Sequence, residues 1–331
     1  MTFARRTING RPINPVGLGC MSLSWAYGTA PSDDDGVKLL HRALDLGYDH
    51  FDTANIYGGG HNETLVGRAL AENRDKFFLA TKMGIVVDGP NRGIDCSPNA
   101  IRACVDASLQ RLKTDHVDLY YMHRYDSKVP IADSVGAMAD LVRAGKIGSI
   151  GLSEWSAPHI REAAAVHPIA AVQTEYSLWT RNPEIAVLDA CRAHDIAFVA
   201  FSPVGRGVLA NGVADPGDLP ETDLRRRMPR FDADNWPRNR ALIDHFVALA
   251  DAAGVTPAQL SLSWLLSRGD NVLAIPGTGN VSHLDENIAQ WDWRLPDDLA
   301  TVVGGLINQQ TVSGHRYPDI IRRSIDTEDF V

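Results

Sequence analysis

Cysteine, long apolar runs and metal-binding spacings are all scarce in this chain of 331 residues. Its four cysteines lie far apart and form no Cys-x-x-Cys pair, which excludes a small disulfide scaffold and a zinc knuckle. No apolar run approaches the roughly 18 residues that a membrane-spanning helix needs. The N-terminus leads into polar residues and not into the apolar stretch of a signal peptide. We therefore expect a cytoplasmic protein with reduced thiols.

Positive charge is also in deficit. The 32 lysines and arginines are outnumbered by 41 aspartates and glutamates, which gives a net charge of −9. An acidic chain repels phosphate backbones and anionic lipids, so we expect neither nucleic acid nor a membrane as the main partner. The 11 histidines include no His-Glu-x-x-His motif, and we expect no metal site.

The apolar residues, 44% of the chain, fall into a regular pattern. Eight short apolar runs alternate with segments of helical periodicity, and this pattern is typical of a parallel sheet covered by helices. Closure of eight strands into a single (βα)8 TIM barrel leaves no free edge, whereas a doubly wound open sheet is the alternative. The predicted strands cover residues 16–20, 50–54, 77–82, 117–123, 147–153, 170–176, 197–203 and 272–278.

We expect a single α/β domain over residues 1–331, with three segments that lie outside the alternation of strands and helices. Asn9-Gly10 predicts a tight hairpin turn before the first strand. Residues 204–238, the long loop after strand seven, lack periodicity and would lie at the catalytic face of a barrel, so we expect a flap over a cofactor or substrate. The irregular C-terminal tail, residues 309–331, is either a second flap or a frayed end.

Four chemically active side chains stand at or just after three consecutive strand ends. Asp52 ends the second predicted strand, Tyr57 follows five residues later, Lys82 ends the third strand and His123 ends the fourth. Each alone has an ordinary structural explanation. Because the C-terminal strand ends of a barrel share one rim, we expect the four groups to converge there.

These groups suit proton donation to a carbonyl. A tyrosine has an ordinary pKa near 10, and an ammonium about 4 Å away stabilises its phenolate by roughly 4 kcal/mol at an effective dielectric near 20. Lys82 is therefore predicted to lower the pKa of Tyr57, with Asp52 holding Lys82 in place. His123 would donate to the carbonyl oxygen. None of the four can supply a hydride, so the reductant must be a cofactor.

Longer motifs resemble the aldo-keto reductases, with the bacterial, general-stress and pyridoxal-reductase-like branch as the nearest. Residues 47–54, Gly-Tyr-Asp-His-Phe-Asp-Thr-Ala, followed by Tyr57-Gly58, resemble the first signature of that family. The resemblance covers about residues 7–290. Its other parts are residues 108–123, the strand ends at 151–153, 173–176 and 200–203, and residues 275–278 followed by 286–287.

The resemblance implies roles for individual residues. Asp52, Tyr57, Lys82 and His123 match the family's catalytic tetrad, in which the tyrosine is the acid in carbonyl reduction and the base in alcohol oxidation. A small-molecule carbonyl or alcohol is the implied substrate, and NADPH or NADH the implied cofactor. The implied cofactor contacts are Ser153, Glu154 and Gln173 at the nicotinamide carboxamide, Phe201 on the nicotinamide ring, Ser202, Val204, Gly205 and Arg206 at the pyrophosphate, and Gly277, Thr278, His283, Glu286 and Asn287 toward the adenine.

The chain departs from the family pattern at two places. Glu154 stands where asparagine is commonest, and a carboxylate can accept from the carboxamide but cannot donate. Residues 279–283 lack the lysine and arginine that usually grip the 2′-phosphate; Asn280 and His283 occupy those places. Neither is a fixed cation at pH 7, so use of NADH beside NADPH stays open.

Three tryptophans follow strand ends and are candidates for the substrate pocket. Trp25 would form a pocket wall, while Trp155 and Trp179 are equally consistent with buried structural roles. The leading hypothesis is an NAD(P)H-dependent reductase of aldehydes or ketones. The alternatives are a cofactor-binding, redox-sensing regulatory subunit with little turnover, and a metal-dependent isomerase or hydrolase barrel.

Overall fold

A closed barrel of eight parallel strands forms the centre of the computed structural model, which describes residues 4–88, 91–289 and 293–330. The sheet follows chain order, and parallel bridges between Val16 and Ala274 and between Gly19 and Gly277 join its two ends. The predicted (βα)8 barrel is confirmed, and the open-sheet alternative is wrong. Its strands are β3 (Leu18–Gly19), β4 (His50–Asp52), β5 (Phe78–Met83), β8 (Leu119–Met122), β9 (Ile150–Ser153), β10 (Ala171–Glu175), β11 (Ala197–Phe201) and β12 (Val272–Ile275).

Two antiparallel hairpins accompany the barrel in the described part of the chain. The N-terminal hairpin pairs β1 (Arg6–Ile8) with β2 (Arg11–Ile13), as the Asn-Gly turn predicts. A second hairpin pairs β6 (Ile85–Asp88) with β7 (Asn91–Ile94) directly after β5. This second hairpin, which follows the C-terminal end of β5, was not predicted from the sequence.

Helices cover the outside of the barrel. They begin at signals that are visible in the sequence: the Ser97 side chain accepts from the Ala100 amide, and Thr256 and Gln259 form a capping box. The helices are α1 (Asp33–Asp45), α2 (His61–Leu70), α3 (Pro98–Leu112), α4 (Ile131–Arg143), α5 (Ala157–Val166), α6 (Val187–Ala193), α7 (Trp236–Ala252), α8 (Pro257–Leu266), α9 (Val281–Ile288), α10 (Asp297–Leu306) and α11 (Asp319–Arg322).

Glycine permits the close contact where the first and last strands meet. A Cβ on Gly19 would lie 2.8 Å from the Ile275 carbonyl oxygen, and one on Gly277 would lie 2.9 Å from the Gly19 carbonyl oxygen. Any side chain at either position would push the two strand ends apart. The barrel therefore closes tightly at the rim that carries the candidate site.

The two irregular segments pack against this rim. Residues 204–235 contain short 3-10 turns, and the last three residues of the predicted flap, 236–238, already belong to α7. The Asp223 carboxylate ties this segment to the loop after β3 by accepting from the Gly28 amide at 2.7 Å. The C-terminal tail caps the start of α5, because Asp326 and Glu328 accept from the amides of Ser156 and Ala157 at 2.7 and 2.8 Å. Both segments therefore stand at the open end of the barrel.

Candidate active site

The structure brings the four predicted catalytic side chains together. Lys82 Nζ lies 3.4 Å from the Tyr57 hydroxyl oxygen and forms an ion pair with Asp52. The rings of Tyr57 and His123 meet edge to face, with centroids 6.0 Å apart. All four groups lie on one rim because β4, β5 and β8 are neighbours in the sheet and their C-terminal ends meet there.

Three glycines shape the turn that presents Tyr57. Gly58, Gly59 and Gly60 have φ angles of 58°, 63° and 97°, which residues with side chains rarely adopt. A Cβ on Gly58 would also come within 3.1 Å of the side chains of Ser24 and His61. The turn after β4 therefore needs this glycine run in order to direct the phenol back over the barrel and then start α2.

Lys82 is held rigidly beneath the phenol. It is completely buried, and its ammonium also donates to the Thr53 carbonyl oxygen at 2.8 Å. The second carboxylate oxygen of Asp52 accepts from Gln173 Nε2 at 2.8 Å. Because both oxygens of Asp52 are engaged, the carboxylate fixes the position of the lysine and not only its charge.

Burial, not the lysine, sets the net direction of the Tyr57 pKa. Burial raises the pKa of Tyr57 above 10.0, and the nearby charge of Lys82 only partly opposes it. The predicted lowering of this pKa is therefore wrong in sign for the free enzyme. Burial also disfavours the Lys82 ammonium, but Asp52 outweighs that effect and raises the pKa of Lys82. Tyr57 thus keeps its proton at neutral pH, beside a cation that would stabilise the phenolate left after donation.

His123 is a neutral imidazole. Burial, followed by the positive charges of Arg124, Lys82 and Arg92, holds the pKa of His123 well below 6.5. Its Nδ1 atom is buried without a hydrogen-bond partner in the described part of the chain. His123 can therefore offer a hydrogen bond to a ligand beside Tyr57 without adding a fourth positive charge there.

A cavity of about 880 Å³ extends from this tetrad to the first turn of α9. That volume lies toward the upper end of the roughly 300–1,000 Å³ found for ligand pockets. Most of the residues that the sequence assigned to a cofactor or substrate line it: Trp25, Ser153, Gln173, Phe201, Ser202, Val204, Arg206, Gly277, Thr278, His283, Glu286 and Asn287.

Glu154 is engaged away from the cavity. Arg316 binds its carboxylate with two hydrogen bonds of 2.9 Å, and Thr327 and the Glu175 amide donate to it at 2.8 and 3.0 Å. Burial alone would raise the pKa of Glu154, but the charges of Arg316 and Arg124 outweigh it and lower that pKa. The carboxylate therefore anchors the C-terminal tail, and the structure does not bring it to the predicted carboxamide position.

Arg206 lines the cavity, but its guanidinium already has protein partners. It donates to Glu175 at 2.7 Å and to the Tyr27 hydroxyl at 2.9 Å, and it lies 4.7 Å from the Tyr317 ring centroid. The neighbouring Gly205 supports this turn with a φ of 58°. The predicted contact of Arg206 with a pyrophosphate would have to be made alongside these interactions.

The three candidate tryptophans lie in two different environments. Trp25 lines the cavity and is 42% exposed. Trp155 and Trp179 lie in the hydrophobic core, only 1% and 2% exposed, and neither lines the cavity. Trp155 packs edge to face on Tyr125, with ring centroids 5.1 Å apart. The structural alternative fits these two tryptophans.

The far end of the cavity is built from hydroxyl, amide and imidazole groups. Thr278 Oγ1 lies 3.0 Å from His283 Nδ1 and accepts from the Asn280 amide at 2.9 Å. The Asn280 side chain caps α9 by accepting from the Ser282 amide at 3.0 Å. The residues that the sequence assigned to the place of the 2′-phosphate, Asn280 and His283, therefore both line this end of the cavity.

Several cavity residues were not found from the sequence. Arg124 directly follows His123, and its position at the end of the fourth predicted strand could have marked it as a candidate. Arg92 comes from the hairpin β6–β7, and Tyr317 and Ile321 come from the tail. No local pattern marked these three, because only the fold brings them to the cavity.

Neither a metal-binding cluster nor a membrane-spanning helix is found among the described residues. Across residues 4–88, 91–289 and 293–330, no group of three or more His, Cys, Asp and Glu side chains is placed to hold a metal ion. Within the same ranges, no helix has the length and apolar character that crossing a membrane requires.

Comparisons with known proteins agree with this geometry. The model of the aldo/keto reductase family matches residues 15–304. The chain is 40% identical over 326 residues to aldo-keto reductase yakc of Schizosaccharomyces pombe, whose name includes NADP(+), with 96% of this chain and 95% of that protein covered. It is 40% identical to probable aldo-keto reductase 1 of Glycine max, with 93% and 89% covered.

A solved glycerol dehydrogenase of Gluconobacter oxydans has the same fold. Its TM-score is 0.85 at 32% identity, with 96% of this chain and 99% of that chain covered. The region that the family model matches, residues 15–304, includes every strand of the barrel and all four residues of the tetrad. The chain belongs to the aldo/keto reductase family.

Proposed function

We propose that this protein is an NADPH-dependent reductase of aldehydes or ketones, or the corresponding alcohol dehydrogenase in reverse. The observation that carries the proposal is the 3.4 Å contact between buried Lys82 and the Tyr57 hydroxyl at one end of a cavity that reaches α9 at the other. Membership of the family and the name of the Schizosaccharomyces pombe relative, which includes NADP(+), support it.

The residues present fit a dinucleotide. Ser153 and Gln173 reach the cavity beside the tetrad and offer a hydroxyl and an amide to the nicotinamide carboxamide, and Phe201 offers a ring face. The first turn of α9 offers the positive end of a helix dipole toward the adenosine end. Bound NADPH supplies the hydride that the protein's side chains cannot provide.

The protein's own groups would handle the proton. Tyr57 and His123 would hydrogen-bond the substrate carbonyl oxygen, and Tyr57 would then transfer its proton to that oxygen. Lys82 would stabilise the resulting phenolate across the 3.4 Å contact, and Asp52 and Thr53 would keep the ammonium aimed at it. In alcohol oxidation the same phenolate would act as the base.

The direct test is steady-state turnover of a panel of aldehydes, ketones and alcohols with NADPH and NADH, followed at 340 nm. We expect reduction of aldehydes with NADPH by the purified chain. Binding of the nucleotide without turnover of any carbonyl would instead favour a regulatory, cofactor-sensing role and would overturn this proposal.

The electrostatics predict a flat pH profile. The pKa of Tyr57 is raised above 10.0 and that of His123 lies well below 6.5, so neither group changes protonation between them. The acidic form of Tyr57 is lost only as the pH rises through its raised pKa. We expect kcat/KM for reduction of neutral benzaldehyde to be constant between about pH 6 and pH 9 and to fall at higher pH. A limb near neutral pH would contradict these assignments.

Cofactor preference should respond to a single added charge. With His283 in place of a fixed cation, we expect only a moderate preference for NADPH. His283→Arg should raise kcat/KM for NADPH by about 10-fold, since a hydrogen bond to a charged group is worth about 1.5–3 kcal/mol, and should leave NADH little changed. His245→Arg, an exposed position on α7, controls for net charge. A native preference above about a hundredfold would contradict relaxed specificity.

A further inference from the structure

Two guanidinium groups reach the cavity beside the tetrad without an anionic partner. Arg124 is only 6% exposed; one of its terminal nitrogens donates to the His123 carbonyl oxygen at 2.6 Å, but its buried Nε has no partner within the described residues. Arg92 lines the same cavity from the hairpin β6–β7, and its guanidinium makes no hydrogen bond or ion pair in the described part of the chain. A buried, incompletely bonded arginine needs an explanation, because such a charge is costly to bury.

Three neighbouring arginines are paired with carboxylates. Arg206 binds Glu175, Arg225 binds Asp223 and Arg316 binds Glu154, with nitrogen–oxygen distances of 2.7 to 2.9 Å. The carboxylates of Glu175, Asp223 and Glu154 are therefore already paired with other arginines. The protein as a whole carries a net charge of −9, so an excess of positive charge at this place is a local property of the site.

The carboxylates that line the cavity cannot neutralise the pair. Among the described residues these are Asp52 and Glu286. Both oxygens of Asp52 are occupied by Lys82 and Gln173, and Glu286 lies on α9 at the other end of the cavity. Glu154 is within electrostatic range of Arg124 but is saturated by Arg316 and Thr327. Among the described residues, no cavity carboxylate is therefore left to neutralise the two guanidinium groups, and a bound ligand can supply the anion.

The two arginines stand at the substrate end and not at the adenosine end. Arg124 is adjacent in sequence to His123, and the positive charges of both arginines act on His123. Tyr57 also lies within electrostatic range of both arginines. An anion held there would lie next to the carbonyl that Tyr57 protonates, whereas the residues that suit an adenosine follow β12.

We propose that Arg124 and Arg92 bind an anionic group of the substrate, so that the preferred substrates are aldehydes or ketones carrying a carboxylate or a phosphate. This proposal rests on the proposed carbonyl reductase activity. Arginine suits the task because its planar fork binds both kinds of anion through two parallel hydrogen bonds. Arg124 is buried and donates to the His123 carbonyl oxygen, so it is the fixed part of the site, whereas Arg92 is the exposed part.

The test compares matched substrates that differ in charge. For the native enzyme with NADPH, we expect kcat/KM for 4-carboxybenzaldehyde to exceed that for its neutral methyl ester by about 10- to 100-fold, the usual value of a charge-assisted hydrogen bond. Arg124→Gln should abolish this preference mainly through KM, lowering kcat/KM for the carboxylate at least about 10-fold more than for the neutral ester. Arg124→Lys should restore part of it, and raised ionic strength should weaken it.

Further experiments distinguish a carboxylate from a phosphate as the bound anion, and the role of Arg124 from that of Arg92. Glyceraldehyde 3-phosphate against glyceraldehyde tests phosphate in the same way, and the larger preference identifies the anion. Arg92→Gln should give a smaller loss than Arg124→Gln, and Arg102→Gln, an exposed position on α3, should change nothing. Equal kcat/KM for the acid and the ester in the native enzyme would overturn the proposal. An equal loss of kcat/KM for both substrates in Arg124→Gln would also overturn it, and would instead assign Arg124 to the electrostatics of proton transfer.

A binding measurement keeps the two proposals separable. Calorimetric titration of the NADP+ complex should show benzoate binding at least about 10-fold more tightly than benzamide, with the difference lost in Arg124→Gln. Absence of any carbonyl turnover would defeat the proposed reductase activity, and the anion site would then stand or fall on this titration. Turnover of neutral aldehydes without benzoate selectivity would defeat the anion site alone.

Discussion

Replacing Tyr57 with phenylalanine is expected to lower kcat for aldehyde reduction by about 10²- to 10⁴-fold, the usual contribution of a positioned general acid. The substitution removes one hydroxyl, so the transferred proton loses its donor and Lys82 loses the group it would stabilise at 3.4 Å. The aromatic ring remains to pack on His123. NADPH affinity, measured by fluorescence titration, should be nearly unchanged because the phenol is needed for the transition state and not for holding the nucleotide.

Tyr120→Phe is the matched control for this prediction. Tyr120 is fully buried, but it packs in the core cluster against the helical layer and does not line the cavity. Its loss should leave kcat near the native value. Near-normal turnover in Tyr57→Phe, with Tyr120→Phe also normal, would show that another group donates the proton.

The barrel and the tetrad could be predicted because the signals are local. Each predicted strand is a short apolar run, and parallel strands buried on both faces have that pattern wherever they occur. Once the strands are placed, their C-terminal ends are known, and Asp52, Lys82 and His123 follow from position alone. The glycines after Tyr57 also act within a single turn.

The partner of Glu154 could not be predicted from the sequence. Its residue type and place after β9 suggested a contact with a carboxamide, but the fold pairs it with Arg316, 162 positions along the chain. No periodicity links two such residues. The same holds for Arg92, which reaches the cavity only because a hairpin follows β5. Contacts between distant segments depend on packing that the sequence pattern does not encode.

The pKa of Tyr57 was missed for a related reason. The attraction of Lys82 could be estimated from an assumed separation, and the observed contact is of that order. Desolvation, however, depends on how many segments enclose the phenol, and it outweighs the effect of Lys82. The residues that line the cavity together with Tyr57 include Trp25, Arg124 and Tyr317, which come from three different parts of the chain.

Replacing Arg316 with methionine is expected to reduce the free energy of unfolding by about 3–5 kcal/mol, the usual cost of removing one partner of a buried ion pair. Glu154 would be left fully buried with its charge and without the guanidinium that binds both of its oxygens. Tyr317 and Ile321, which line the cavity from the same tail, would lose their anchor. Denaturant unfolding measures the loss, and a raised KM for substrate should accompany it.

Two comparisons test whether the buried pair itself causes that loss. Arg322→Met removes an exposed arginine of the same tail, whose pairs with Asp319 and Asp329 lie at the surface, and should cost at most about 1 kcal/mol. The difference should also depend on pH. Because the pKa of Glu154 is lowered in the folded protein, its stabilising contribution is present above the ordinary value of 4.5 and is lost as the pH falls through the folded pKa. The gap between native and Arg316→Met should therefore narrow in acid, and a gap that is independent of pH would place the anchor elsewhere in the tail.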